Sequence, residues 1–121
     1  MQITFANKYL QDLCESSSAA KELGQPVAKK LIQRLKALRA ATCVTDLVTG
    51  HPHPIEPHGT GGGKFQKTFQ GAEYLFSLRL DSKKRLVFQS VETPQPLKES
   101  GEIDWSKVTK VCIVYLGDYH G

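Results

Sequence analysis

Three side chains able to carry or move a proton stand consecutively at Asp118-Tyr119-His120. Histidine titrates near neutral pH and is the commonest general acid–base residue, so this triplet is a candidate for proton transfer. The apolar run Val108 to Leu116 just before it would pin the triplet and fix where it points. A cationic pair, Arg79 and Arg85, brackets the turn Asp81-Ser82-Lys83-Lys84. Guanidinium groups grip phosphate and stabilise charge developing on it. Three further histidines, His51, His53 and His58, sit in a stretch rich in proline.

Two other chemistries are set aside. Gly59-Thr60-Gly61-Gly62-Gly63-Lys64 looks like a phosphate-binding P-loop, but His58 holds the first glycine position and Phe65 replaces the hydroxyl residue. Zinc ligation by the three histidines and a cysteine would need regular spacing, which the prolines break, so no metal or other cofactor is expected.

The elements that must position these groups can be read from periodicity. Ile3 and Phe5 predict a short opening strand. A first helix is predicted from about Lys8 toward Leu23, with a break near Ser16-Ser17-Ser18. Gly24 suits the left-handed residue that ends a helix, and Pro26 suits a first helical turn. Val27, Leu31, Leu35 and Leu38 then form the apolar stripe of a second, amphipathic helix. Thr45-Asp46-Leu47-Val48 predicts one more helical turn with Thr45 as its cap. Gly50 through Gly63 reads as a loop, because its prolines and glycines exclude helix and central strand.

Strands follow. Tyr74, Phe76, Leu78 and Leu80 alternate with Ser77 and Arg79, while Leu86 and Phe88 alternate with Arg85, Val87 and Gln89. A register with Arg79 opposite Arg85 sets Leu78 against Leu86 and Phe76 against Phe88, giving one apolar face; a slip of one residue spoils it. That register sets two like charges side by side, at a cost of a few tenths to about 1 kcal/mol, which makes sense if an anion sits between them. The run Val108 to Leu116 is apolar on nearly both faces and should be a central strand, stopped by Gly117.

A chain of 121 residues with 40% hydrophobic and 23% charged residues predicts one globular domain over 1–121, of α+β class. No apolar run reaches membrane-spanning length, and the start Met1-Gln2-Ile3-Thr4-Phe5 lacks the features of a signal peptide, so a cytoplasmic location is expected. Cys14, Cys43 and Cys112 are odd in number and widely spaced, which predicts reduced, buried thiols. The net charge of +4 is concentrated in two blocks, Lys29 to Arg39 and Lys64 to Arg85, and clustered positive charge favours a polyanion such as nucleic acid.

Several segments resemble the HigB-type toxins of the RelE/ParE superfamily. They are Gly50-His51-Pro52-His53-Pro54-Ile55, Phe76-Ser77-Leu78-Arg79-Leu80, Arg85-Leu86-Val87-Phe88, Gly101 to Val108 and the closing Asp118-Tyr119-His120. The helical portion, from Leu23-Gly24-Gln25-Pro26 to Asp46-Leu47, resembles them too, so the likeness runs in order along nearly the whole chain. It implies a RelE-like fold, two N-terminal helices packed on a small, mostly antiparallel twisted sheet. It also implies a type II toxin, a metal-independent endoribonuclease acting on mRNA in the ribosomal A site and neutralised by a helix-turn-helix antitoxin. Carried onto this chain, the resemblance implies acid–base work shared by His120 and His53, with Tyr119 as a secondary proton donor or stacking group. Arg85 would stabilise the phosphate, and Asp118 would orient a histidine or contact substrate. Lys30, Arg34, Lys64, Lys67, Arg79, Lys83 and Lys84 would contact RNA. This chain departs from the family pattern between Ile55 and Tyr74, where a Gly-rich insertion stands, so His51 and His58 remain alternatives to His53. Two other functions fit the same basic chain: a ParE-like inhibitor of gyrase, and a non-catalytic RNA-binding or co-repressor module.

Overall fold

A computed structural model describes residues 1–16, 18–56 and 64–118, without the side chains of Lys64 and Gln66. The elements run β1 (Gln2–Phe5), α1 (Lys8–Glu15), α2 (Ala19–Leu23), α3 (Gln25–Ala40), β2 (His53–Ile55), α4 (Lys64–Phe69), β3 (Leu75–Arg79), β4 (Lys84–Ser90) and β5 (Lys110–Asp118). The five strands form one mixed sheet in the order β1-β5-β4-β3-β2. Among the described residues only β1 and β5 pair in parallel; the other three strand pairings are antiparallel.

The first helix is interrupted where the serines predict a break, giving α1 and α2. The Asn7 side chain caps α1 by accepting from Leu10 N at 2.9 Å. At the far end the Ser16 hydroxyl donates to the Asp12 carbonyl, and the hydroxyls of Ser16 and Ser18 meet at 2.9 Å. Hydroxyl side chains that bond nearby backbone offer the chain an alternative to helix, and here that alternative wins. Gly24 separates α2 from α3 at φ +88°, as expected of a glycine at that boundary. The predicted turn after α3 is a 3₁₀ turn at Val44–Asp46, one residue earlier than expected. Thr45 is not its cap; the Asp46 carboxylate closes it from within, accepting from Thr42 N and Cys43 N at 3.0 and 3.3 Å.

The main core lies between the helices and one sheet face. Leu31, Leu35 and Leu38 of α3 meet Phe76, Leu78, Leu86, Phe88, Val111 and Ile113, all buried. Phe76 stacks on Phe88 across the strands, and Trp105 meets Phe76 edge-on at 4.9 Å. The β3–β4 register is the expected one, with Phe76 opposite Phe88, Leu78 opposite Leu86 and Arg79 opposite Arg85. The strand β5 is internal, flanked by β1 and β4, as its apolar faces require.

Two parts of the 50–63 stretch and its sequel differ from expectation. His53–Ile55 is an edge strand rather than loop; Pro54 is tolerated because an edge leaves one side of the backbone unpaired. The insertion also contains α4, whose Phe65 is fully buried with Ile55, Leu75 and Val87 in a second cluster, flanked by Phe69 and Tyr115. The sheet face opposite the helices is thus roofed over part of its length. Nor does Gly117 stop β5: it pairs with Arg85, and the strand runs on to Asp118. The three cysteines are free, but half-buried rather than buried. Burial pushes the Cys14 thiol up to about 11, so it stays protonated at neutral pH.

The β3–β4 turn is held by Asp81, whose carboxylate accepts from Lys83 N at 2.8 Å and Lys84 N at 2.6 Å. The hydrogen bond from Lys84 N, with that from Lys83 N and the charges of Lys84 and Arg85, holds the Asp81 carboxyl below the usual aspartate range, outweighing the opposing effect of desolvation. Its contribution is therefore complete above the ordinary aspartate pKa of about 3.9 and fades as pH falls through the lower, folded value. Asp81→Ala is expected to lower stability at pH 7 by about 1 kcal/mol in urea unfolding. The gap to the parent should close below about pH 4; a gap independent of pH would contradict this account.

Candidate functional site

Strand alternation decides which side chains share a face. His53 lies opposite Ser77, Ser77 opposite Val87, and Val87 opposite Tyr115. Two residues along, Arg79 lies opposite Arg85 and Arg85 opposite Gly117. His53, Ser77, Arg79, Arg85, Tyr115 and Gly117 therefore belong to one face, the one that α4 roofs at its other end. Sheet spacing puts the Cα atoms of His53 and Arg85 about 12 Å apart, two strands over and two residues along. An arginine and an imidazole can reach into such a gap from its two sides.

Arg79 is exposed, whereas Arg85 is only 8% exposed. The Arg85 Nη1 donates to the carbonyls of Asp81 at 3.0 Å and Lys84 at 3.2 Å, which holds the guanidinium against the turn. A charge fixed in advance beside partly dehydrated surroundings stabilises a developing anion better than a mobile, hydrated one. Gly117 leaves the Arg85 row open: it takes φ +154°, and a Cβ there would stand 3.4 Å from the Tyr115 hydroxyl. That hydroxyl donates to the Asp118 carbonyl at 2.6 Å. Burial and the Asp118 charge push the Tyr115 pKa up, so this group is a neutral donor and not a base at physiological pH.

The His53 ring is fixed from its own strand. Its Nδ1 lies 2.8 Å from the His51 carbonyl oxygen. A carbonyl only accepts, so Nδ1 carries the hydrogen of this contact. The His51 ring packs edge-on against it at 5.0 Å. Nε2 is thus the His53 nitrogen left able to exchange a proton.

Other expected residues divide. Asp118 pairs with Lys84, so alternation puts it on the opposite face from Arg85. Lys30, Lys67 and Lys83 are exposed, and Lys84 is half-buried. Arg34 is half-buried too, and its Nε donates to the Arg79 carbonyl at 3.1 Å. Tyr119, His120, His58 and the Lys64 side chain lie outside the described residues. Ser77 and Tyr115 were missed. Ser77 is 1% exposed and its hydroxyl has no hydrogen-bond partner among the described residues, an orphan that only the folded packing exposes. Tyr115 could have been found by stepping two residues back from Gly117, since glycine inside a strand marks a close approach.

A concavity of about 570 Å³ lies elsewhere. It lies beyond the first residues of β3, between Tyr74, Leu75, Ile103 and Trp105, with Glu56, Glu73 and Glu102 against Lys98. Its acidic lining does not suit a phosphate, and the arginine pair is not part of it. Among the described residues no group of side chains is arranged to hold a metal ion, and no helix is long and apolar enough to cross a membrane.

The arginine pair sets the expected behaviour of the site toward anions. In low-salt buffer Arg79→Ser should be more stable than the parent by a few tenths to about 1 kcal/mol, from relief of like-charge repulsion. At fixed ionic strength, sulfate should raise the melting temperature of the parent more than that of Arg79→Ser; equal responses would argue against an anion between the two strands. Ser77→Ala, which removes an unsatisfied buried hydroxyl, is expected to gain about 1 kcal/mol in denaturant unfolding.

Comparison with known proteins gives the fold a relative. No protein-family model matches the chain, and no curated protein does. Among solved structures, a chain of the YoeB-YefM complex from Staphylococcus aureus matches at 15% identity and TM-score 0.50, over 100% of this chain and 98% of that one. The YoeB dimer from Staphylococcus aureus matches at 16% identity and TM-score 0.51, with the same coverage. At such identities the likeness is one of fold, and it spans the whole chain.

Proposed function

We propose that this protein, built on the fold seen in YoeB, is the toxin of a type II toxin–antitoxin pair and a ribosome-dependent mRNA endoribonuclease. The observation that carries this reading is the shared sheet face: a buried, fixed guanidinium at Arg85, a second at Arg79 and a histidine base at His53. The HigB-type resemblance of the sequence supports the roles given to them.

The reaction is an internal transfer without a metal. The ribose 2′-hydroxyl attacks the adjacent phosphorus, its proton passes to His53 Nε2, and the bond from phosphorus to the 5′-oxygen breaks. His120 protonates the departing 5′-oxygen, leaving a 2′,3′-cyclic phosphate and a 5′-hydroxyl. Arg85 and Arg79 hold the phosphate as negative charge grows on its oxygens. Tyr119 stacks on a base or assists proton transfer, and Asp118 shapes the chain end that carries both. Lys30, Lys67, Lys83 and Lys84, with Lys64, draw in the RNA backbone. Such contacts give affinity without sequence preference and weaken with salt. The ribosome aligns the message, which removes much of the barrier and lets a shallow site suffice. The reading implies a cytoplasmic location and a helix-turn-helix antitoxin as partner; a YoeB chain, too, has been solved in a complex, with YefM.

In a reconstituted translation reaction, primer extension should show cleavage of ribosome-bound mRNA. His53→Ala, His120→Ala and Arg85→Ala should each reduce its rate about 10²- to 10⁴-fold. Intact mRNA with the parent protein, or full activity in His120→Ala and Arg85→Ala, sinks this reading.

A further inference from the structure

We propose that Arg34 and Gly50 form a strut that sets the orientation of the His53 imidazole, and that Arg34 is a positioning residue rather than a phosphate contact. The strut begins on α3, where Lys29, Lys30, Lys36 and Arg39 are exposed but Arg34 is half-buried. No carboxylate lies within ion-pair distance of Arg34 among the described residues. Its Nε donates instead to the Arg79 carbonyl at 3.1 Å, the last residue of β3. The N–H of the same Arg79 donates to the Gly50 carbonyl at 2.6 Å. The strand end is thus gripped on one side by the helix and on the other by the segment entering β2.

Gly50 shows how closely these parts meet. It takes φ +83°, and a Cβ there would collide with Arg34 Nε and lie 2.9 Å from Cζ. A side chain at Gly50 would have to displace the guanidinium, and the backbone conformation itself favours glycine. His51 follows at φ +49°, so two consecutive residues have positive φ. This turn directs the His51 carbonyl back to His53 Nδ1, at 2.8 Å. The path from Arg34 through Arg79, Gly50 and His51 to His53 is continuous, and each link is a short contact or a covalent bond. Arginine suits the first link because its planar guanidinium gives the Nε hydrogen a fixed direction, which a lysine ammonium on a flexible stem does not. Strained turns persist when their surroundings over-determine them, and the Arg34 contact supplies that constraint here.

The catalytic consequence rests on the nuclease reading above; the orientation of the ring does not. Two-bond 1H–15N NMR of the histidine rings therefore tests the strut directly, with Gln33→Ala, an exposed change on the same helix, as control. The parent and Gln33→Ala should show His53 with its hydrogen on Nδ1. Arg34→Met and Gly50→Ala should lose that preference, while Arg34→Lys should fall between. If Arg34→Met proves unfolded by circular dichroism, Arg34→Lys and Gly50→Ala carry the same comparison. Cleavage by the altered proteins should fall on the order of 10- to 100-fold in kcat with little change in KM. A folded Arg34→Met or Gly50→Ala that keeps the Nδ1 hydrogen on His53 overturns the strut, whether or not the parent cleaves RNA. Loss of that tautomer upholds the strut even if no preparation cleaves RNA, an outcome that would count against the nuclease reading alone.

Discussion

The opposition of Arg79 and Arg85 across β3 and β4 is the constraint on which the candidate site depends. Two guanidinium groups do not choose each other's company; the main core forces them together. Phe76 and Phe88, Leu78 and Leu86 must all face the helices, and with a side-chain period of two the residues between them have no freedom left. The apolar energy of four buried side chains, about 1.5 to 3 kcal/mol each, far exceeds the repulsion of one like-charge pair. Core packing thus holds a charge arrangement that would not form by itself.

The same face is not a plain solvent surface. The helix α4 covers part of it with Phe65 and Phe69, against Leu75, Val87 and Tyr115. Farther along the face, the burial of Arg85 itself strengthens the field of its charge compared with the exposed lysines of α3. The chain carries two kinds of positive charge in consequence. Exposed lysines act at a distance and are screened by salt, whereas Arg85, 8% exposed and tied to carbonyls, acts at contact. Attraction and stabilisation are divided between different residues.

Tight geometry recurs where elements meet around this face. Gly50 admits the Arg34 guanidinium, and Gly117 leaves room beneath the Tyr115 hydroxyl. At Gly50 a side chain from elsewhere occupies the space that a Cβ would claim, whereas a Cβ at Gly117 would meet Tyr115 only at ordinary contact distance. The orphaned Ser77 hydroxyl belongs to the same pattern of local cost, a buried polar group in the row that joins His53 to Val87.

Read alone, the sequence determined what depends on short-range periodicity. The stripe of α3, the glycine that separates it from α2, the central place of β5 and the register of β3 on β4 all follow from the spacing of apolar residues. From that register alone, Arg79 and Arg85 had to be neighbours. Only the tertiary structure decided what crosses between distant segments. The pairing of His53 with Ser77 turned a proline-rich loop into an edge strand, because backbone hydrogen bonding at the sheet edge outweighs weak local propensity. Packing of Phe65 made a helix of part of the Gly-rich insertion and roofed the arginine face. Arg34, one cation among five on α3 by sequence, acquired its particular place only when β3 and Gly50 closed around it. Periodicity specifies which face a residue takes; which residues from elsewhere meet it there is set by long-range packing, which no local pattern encodes.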